Sequence, residues 1–124
     1  MAADEPAGTA WANEVRLMGR VSGSPEEREM PSGDVVVLFR LVVPRPPGRR
    51  SGSARGTSRK AGTVDTIDIA CWSARTRRAA LRLQEGETVE VSGSLHRRFF
   101  RSGGGAVSRY EVDAATVARQ SARA

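Results

Sequence analysis

The chain has 124 residues, one Cys, one His and a formal charge of +6, from 20 basic and 14 acidic side chains. Leu, Ile, Val and Phe number 24, or 19 %, which with that charge lies at the edge of the disordered class. The average conceals an uneven spread. None of the 24 falls in residues 1–12, 45–62 or 118–124, so the other 87 residues hold them all, at 28 %. This describes one small folded domain, residues 13–117, with a polar insert at 45–62 and flexible ends at 1–12 and 118–124. Oligomerisation would help a core of that size. A single Cys excludes an internal disulfide framework, and the lack of Cys/His clusters excludes the usual zinc sites. The opening Met1-Ala2-Ala3-Asp4-Glu5-Pro6 lacks the basic and apolar regions of a secretory signal. No run approaches the ~20 apolar residues that span a bilayer. The expectation is a soluble, cytoplasmic protein.

Charge follows the same division. Residues 13–44 and 63–117 carry 12 Arg against 12 acids and sum to zero. The insert holds Arg45, Arg49, Arg50, Arg55, Arg59 and Lys60 without an acid, a charge of +6. The first 12 residues give −2 and the last seven +2. The excess charge therefore equals that of one segment, for which a polyanion is the natural partner. Basic residues are 19 Arg to 1 Lys, which fits a GC-rich genome as well as a functional choice.

The first element is a strand: Val15, Leu17, Gly19 and Val21 alternate with Arg16, Met18 and Arg20. Ser22-Gly23-Ser24-Pro25 ends it, and a polar connection closes in a turn at Pro31-Ser32-Gly33-Asp34. Val35–Val43 is a second strand, stopped by Pro44, Pro46 and Pro47. The insert has nothing to bury and reads as mobile and disordered. A third strand, Val64–Trp72, sets Ile67, Ile69 and Cys71 on one face against Thr66, Asp68, Ala70 and Trp72. From Ser73 to Leu83 the spacing of Ala79, Ala80, Leu81 and Leu83 among arginines predicts a short helix, with Gly86 just beyond it. Val89, Val91, Gly93 and Leu95 begin a fourth strand that runs through Arg97–Arg101. The chain turns at Gly103-Gly104-Gly105 and returns through Ser108–Val117. Five short strands with one helix between the third and fourth is the order of an OB-fold barrel, an all-β fold. A five-stranded SH3-like barrel would not need the helix.

A family resemblance appears at this point. Asn13-Glu14-Val15-Arg16-Leu17-Met18-Gly19-Arg20-Val21, Pro25-Glu26, Pro31-Ser32-Gly33 and Phe39-Arg40-Leu41 look like the first half of a bacterial single-stranded-DNA-binding protein. Ile67-Asp68-Ile69-Ala70-Cys71-Trp72 resembles that family's third strand. Leu83, Gly86, Val89-Glu90-Val91 and Gly93-Ser94-Leu95 resemble the following segment, and Arg109-Tyr110-Glu111-Val112 its closing strand. The resemblance covers residues 13 to 117 apart from the insert, and its order and spacing are more specific than any one motif. It implies an OB fold, homo-oligomers (tetramer or dimer) and sequence-tolerant binding of single-stranded DNA in replication, repair or recombination. It also implies no cofactor and a nucleoid-associated place in the cell.

Carried over residue by residue, the resemblance matches Trp72 and Phe100 to stacking aromatics, with Arg98 on a basic position beside Phe100. Two other aromatic positions fall near Pro47 and Thr66, which cannot stack in the same way. Gln84-Glu85 stands where the family tends to be basic. The chain ends at Ser121-Ala122-Arg123-Ala124, where the family carries an acidic, aromatic-ended tip that recruits replication and repair enzymes. Recruitment through such a tip is therefore not expected.

Residue parity reaches the same face without the family. Odd positions in the first three strands, and the run from Val89 to Leu95, bury the apolar set. Even positions carry Arg16, Arg20, Arg40, Trp72, His96, Arg98 and Phe100. Rings beside guanidinium groups suit bases and phosphates together. Trp72 could instead cap the barrel as a core residue. Of Phe99 and Phe100, alternation assigns one to the core and one outward, and Phe100 is the outward one. Trp11 reads as a packing or interface residue, and the arginines at 75–82 as a solvated helix face. His96 and Cys71 lack nucleophile–base partners, and no Walker-type phosphate loop is present, so no enzyme is expected. The expected nucleic-acid contacts are Trp72, Phe100, Arg98, Arg40, Arg20 and the insert cations Arg45, Arg49, Arg50, Arg55, Arg59 and Lys60. Two alternatives remain: an RNA-binding OB protein, or a protein-interaction subunit that pairs with a tailed paralogue.

Overall fold

In the computed structural model, which describes residues 10–46 and 63–120, five strands and one helix follow one another along the chain. They are β1 (Val15–Glu29), β2 (Val35–Pro44), β3 (Val64–Cys71), α1 (Ala74–Leu81), β4 (Thr88–Ser102) and β5 (Gly105–Arg119). The strands close into a barrel in the order β1-β2-β3-β5-β4, with β4 returning to β1. All pairs are antiparallel except β3 with β5. This is the five-stranded Greek-key arrangement that the element order predicts.

Alternation builds the core. Val21, Val37, Phe39, Leu41, Ile69, Cys71, Val89, Val91 and Val112 point inward and are buried. Ala80 and Leu83 close one end from the helix segment. Ser73 caps that helix: its hydroxyl accepts from the Thr76 amide at 3.1 Å, meeting one of the donors a first turn leaves unpaired. Val36 and Ala70 lie on the opposite parity and are buried as well, so part of the outer surface beside Trp72 is covered.

Two glycines let the barrel close. A Cβ on Gly19 would lie 2.2 Å from the carbonyl oxygen of Val42, and one on Gly93 2.0 Å from that of Asp113. Neighbouring backbones cross there too closely for any side chain. Asn13 prolongs the seam between β1 and β4. Its side-chain amide donates to the Leu95 carbonyl at 2.9 Å and its side-chain carbonyl accepts from the Leu95 amide at 2.8 Å.

Three expectations need correction. The first strand does not end at Ser22–Pro25. It is interrupted there by a register shift between Ser22 and Glu26, with Gly23 at φ +78°, and resumes against β2 as far as Glu29. A bulge uses the same residue types as a turn, so composition alone misplaced the end. The returning strand also begins earlier, at Gly105 rather than Ser108.

The third correction concerns Leu95 and Phe99, assigned to the core by alternation. Leu95 is exposed, Phe99 is 66 % exposed, and Phe100 is 40 % exposed. Pairing of β4 with β5 continues to Ser102↔Gly105, well past Gly93, the last β4 residue that β1 pairs with. Beyond the barrel the hairpin has two outer faces, and neither is a core. Among the described residues no helix is long and apolar enough to cross a membrane.

Candidate nucleic-acid interface

The outward parity of β2, β3, β4 and β5 carries a connected set of rings, guanidinium groups and carboxylates. Trp72 follows β3 directly, half-buried, with its carbonyl held by the Arg77 side chain of α1. The Arg98 guanidinium lies 5.2 Å from the centre of the Trp72 ring. The same guanidinium donates to Glu111 at 2.9 Å and to Asp113 at 3.4 Å. Glu111 is only 8 % exposed, so this ion pair offsets the cost of burying a carboxylate. His96 Nδ1 stands 3.2 Å from Asp113 on its other side.

A second group adjoins the first. Arg40 approaches Asp68 at 3.5 Å, and Arg109 reaches the other oxygen of Asp68 at 3.8 Å. The Arg109 guanidinium also lies 5.4 Å from the centre of the Phe100 ring. Arg98 and Arg109 face each other across the β4–β5 ladder, which joins the two groups into one surface. A groove of about 330 Å³ runs beside them, lined among others by Ser22, Ser24, Leu38, Arg40, Asp68 and Arg109.

Trp72, Phe100, Arg98 and Arg40 thus come together on one face. Arg20 is exposed on the same side of β1, where it pairs with Val42, and none of the ion pairs among the described residues includes it. Arg45 stands at the foot of the insert, where its amide donates to the Thr63 carbonyl at 2.7 Å. Asp65 meets its side chain at 3.1 Å and raises its pKa, chiefly through that hydrogen bond. Arg49, Arg50, Arg55, Arg59 and Lys60 lie outside the described residues, as does Pro47. Thr66 is exposed on β3.

The sequence reading missed how far this face is neutralised. Arg40, Arg98 and Arg109 meet Asp68, Glu111 and Asp113, three cations against three anions. It also missed Arg109, and with it the second ring–guanidinium pair. The signal was present: Arg109 shares the parity of Glu111 and Asp113 on a strand opposite Arg98.

Cys71 offers no chemistry. Burial pushes its thiol up to about 12, although a hydrogen bond with Thr76 works the other way. The thiolate that would act as a nucleophile is absent at neutral pH. Among the described residues no three His, Cys, Asp or Glu side chains gather as metal ligands.

The chain is similar to known proteins in sequence and in fold. The chain is 33 % identical over 90 residues to a single-stranded DNA-binding protein A of Bacillus subtilis, a match covering 73 % of this chain and 48 % of the relative. It is 30 % identical over 83 residues to single-stranded DNA-binding protein 1 of Synechocystis, covering 67 % and 60 %. The chain therefore spans about half to three-fifths of the length of these relatives. Among solved structures, the Plasmodium falciparum SSB in complex with ssDNA superposes with a TM-score of 0.70 at 21 % identity, covering 90 % of this chain and 96 % of that one. That likeness shows the shared barrel. The model of the Single-strand binding protein family matches residues 12–120, from just before β1 to just after β5. On that match the chain belongs to the single-strand binding protein family.

Proposed function

We propose that this protein binds single-stranded DNA without sequence preference, as a non-enzymatic cytoplasmic module of DNA replication, repair or recombination that works as a homo-oligomer. One observation carries the reading: two rings, Trp72 and Phe100, lie on one outward face, each with a guanidinium over it. Every base has a π face, so stacking on such rings holds a strand whatever its sequence, at about 1–3 kcal/mol per base. A base stacking on Trp72 either takes the ring face away from Arg98 or displaces that guanidinium. In this reading a displaced arginine turns to a phosphate of the strand, a group that its planar fork suits.

The near-neutral face assigns long-range attraction elsewhere. The insert keeps Arg49, Arg50, Arg55, Arg59 and Lys60 in a stretch without any acid. In this reading the insert draws the backbone in and the rings fix the bases. The division resembles the way basic channels and stacking platforms combine on single strands.

The test is tryptophan fluorescence titrated with oligo-dT and oligo-U at two salt concentrations, with Trp11→Phe in the background so that Trp72 alone reports. Quenching by oligo-dT that weakens with salt is expected. Trp72→Ala and Phe100→Ala should each weaken binding, followed by anisotropy of a labelled oligonucleotide, by about 1–3 kcal/mol. Equal or tighter binding of oligo-U would make RNA the ligand. Retained affinity in both variants would place the bases elsewhere.

A further inference from the structure

Beyond the barrel, β4 keeps one open edge, and the segment that precedes β1 arrives beside it. The ladder of β1 with β4 runs from Arg20↔Thr88 to Val15↔Gly93, and the same register sets Asn13 against Leu95. Asn13 holds that place with its side chain, which takes both the amide and the carbonyl of Leu95. Those two groups therefore point away from β5. By the alternation of a strand, so do the amides and carbonyls of Arg97, Phe99 and Arg101. Among the described residues no strand pairs with them on that side. A row of free donors and acceptors of this kind is a template for one more strand.

The chain's own residues 4–11 suit it in register, length and charge. Continued two residues at a time, the β1 register sets Trp11 opposite Arg97, Thr9 opposite Phe99 and Ala7 opposite Arg101. From Asn13 to Ala7 is as many residues as from Leu95 to Arg101, about 20 Å of strand, so the segment spans the edge without slack. Pro6 falls on the parity whose backbone faces away from β4, where a missing N–H breaks no ladder bond. Asp4 and Glu5 come next, at the tip, and carry the −2 charge of the first 12 residues. Neither Arg97 nor Arg101 enters an ion pair among the described residues. Trp11 is 81 % exposed and shares the parity of Val15 and Leu17, which line a hollow of about 390 Å³ with Ile67, Leu95 and Tyr110. Opposite Arg97 its indole meets a guanidinium that already lies 5.0 Å from the centre of the Phe99 ring and 5.4 Å from that of Tyr110. The open edge of a second copy is a poorer occupant. Two such edges paired about Phe99 would set Arg97 directly opposite Arg101, and like charges so placed repel.

We infer that residues 4–11 form a strap that closes on the open edge of β4 as a short antiparallel strand, with Trp11 against Arg97 and with Asp4 and Glu5 beside Arg101. In the structure Ala10–Glu14 lie outside any strand, so the strap is a closing segment rather than a fixed part of the sheet. Its tether at Asn13 keeps it at a high effective concentration beside its edge. Closed, it offsets the charge of Arg97 and Arg101 and shields the ribbon from edge-to-edge association. The contact involves no nucleic acid and stands or falls apart from the proposed DNA binding.

The test is amide hydrogen exchange, followed residue by residue by NMR in the full chain without DNA. Asp4→Lys with Glu5→Lys and Trp11→Ser removes what holds the strap and leaves the barrel untouched. The amides of Arg97, Phe99 and Arg101 are expected to exchange at least tenfold faster in this variant than in the unaltered chain. Those of Arg98 and Phe100, which face β5, and of Val91 in the core should not change, which also reports an intact barrel. Adding Arg97→Glu and Arg101→Glu to Asp4→Lys and Glu5→Lys, with Trp11 kept, reverses both partners and should restore the slow exchange. In Trp72→Phe, where Trp11 alone fluoresces, acrylamide should quench at least twofold less than it does once Asp4→Lys and Glu5→Lys are added. Equal exchange at Arg97, Phe99 and Arg101 with and without the strap substitutions would overturn the inference. Protection of these amides that grows with protein concentration would give the edge to a second copy and overturn it as well.

Discussion

Asp68→Asn tests the neutralised face most directly. Asp68 is shared by Arg40 at 3.5 Å and Arg109 at 3.8 Å, with about two-thirds of its own side chain covered. At those separations each attraction is about 1 kcal/mol in a water-like dielectric. Measured exposed pairs give about 0.2–1 kcal/mol. Loss of both should therefore lower stability by at most about 2 kcal/mol, and the isosteric Asn preserves the packing. On the DNA side two guanidinium groups are released beside the groove. If each then meets one phosphate, the slope of log K against log salt for a single strand steepens by about 1.4. Between about 0.05 and 0.2 M salt that is roughly a sevenfold larger loss of affinity than the unaltered protein suffers over the same range. The assay is fluorescence anisotropy of labelled oligo-dT across that range, with urea unfolding alongside. Glu85→Gln is the control, because it removes one negative charge just beyond α1, away from the groove residues. Equal changes in both variants would reduce the effect to net charge. No change of slope in Asp68→Asn would show that phosphates do not run past Arg40 and Arg109.

Three further outcomes follow from particular residues. Replacing Arg49, Arg50, Arg55, Arg59 and Lys60 with Ser or Gln should weaken oligo-dT binding and flatten its salt slope by about 0.7 for each phosphate that the insert had neutralised, and an unchanged slope would make the insert only a spacer. Gly93→Ala should cost about 3 kcal/mol in urea unfolding, because the added methyl meets the Asp113 backbone rather than a movable side chain; Gly104→Ala, with open space around it, should cost far less. Cys71, with its thiol pushed up to about 12 by burial, should resist a thiol reagent at pH 8 in the folded protein and react fully in urea. Rapid reaction in the folded state would contradict its place in the core.

The barrel was legible because its strands are half-buried. Val15–Val21, Val35–Val43 and Ile67–Cys71 each present one apolar parity, and a sheet with one solvated face can hardly be written otherwise. The face holding Trp72 and Phe100 followed from the same parity. What could not be read was the pairing across strands distant in sequence. The ion pairs of Asp68 with Arg109 and of Arg40 with Asp68 need the registers of β2 with β3 and of β3 with β5, and no local pattern specifies those. The insert cations were legible as composition, yet Arg45, just beyond β2, is tied to the edge of the sheet through Thr63 and Asp65.

The misreading of Phe99 shows where parity stops being informative. Alternation predicts a buried face only where something covers that face. From Arg97 onward β4 places a charge on each parity in turn, Arg97 on one and Arg98 on the other, and Arg101 again on the first. A strand that passes through a core cannot carry guanidinium groups on both sides, because at least one set would be buried without a partner. The charges therefore state that the barrel has ended, even though the two phenylalanines between them look like core. Rings in such a stretch are kept in water beside cations, at a cost in exposed apolar surface that folding alone does not repay. On this argument the exposure of Phe99, Phe100 and Tyr110 and the double-sided distribution of arginine are one feature: a two-stranded ribbon that has left the core and keeps its rings and cations together in water.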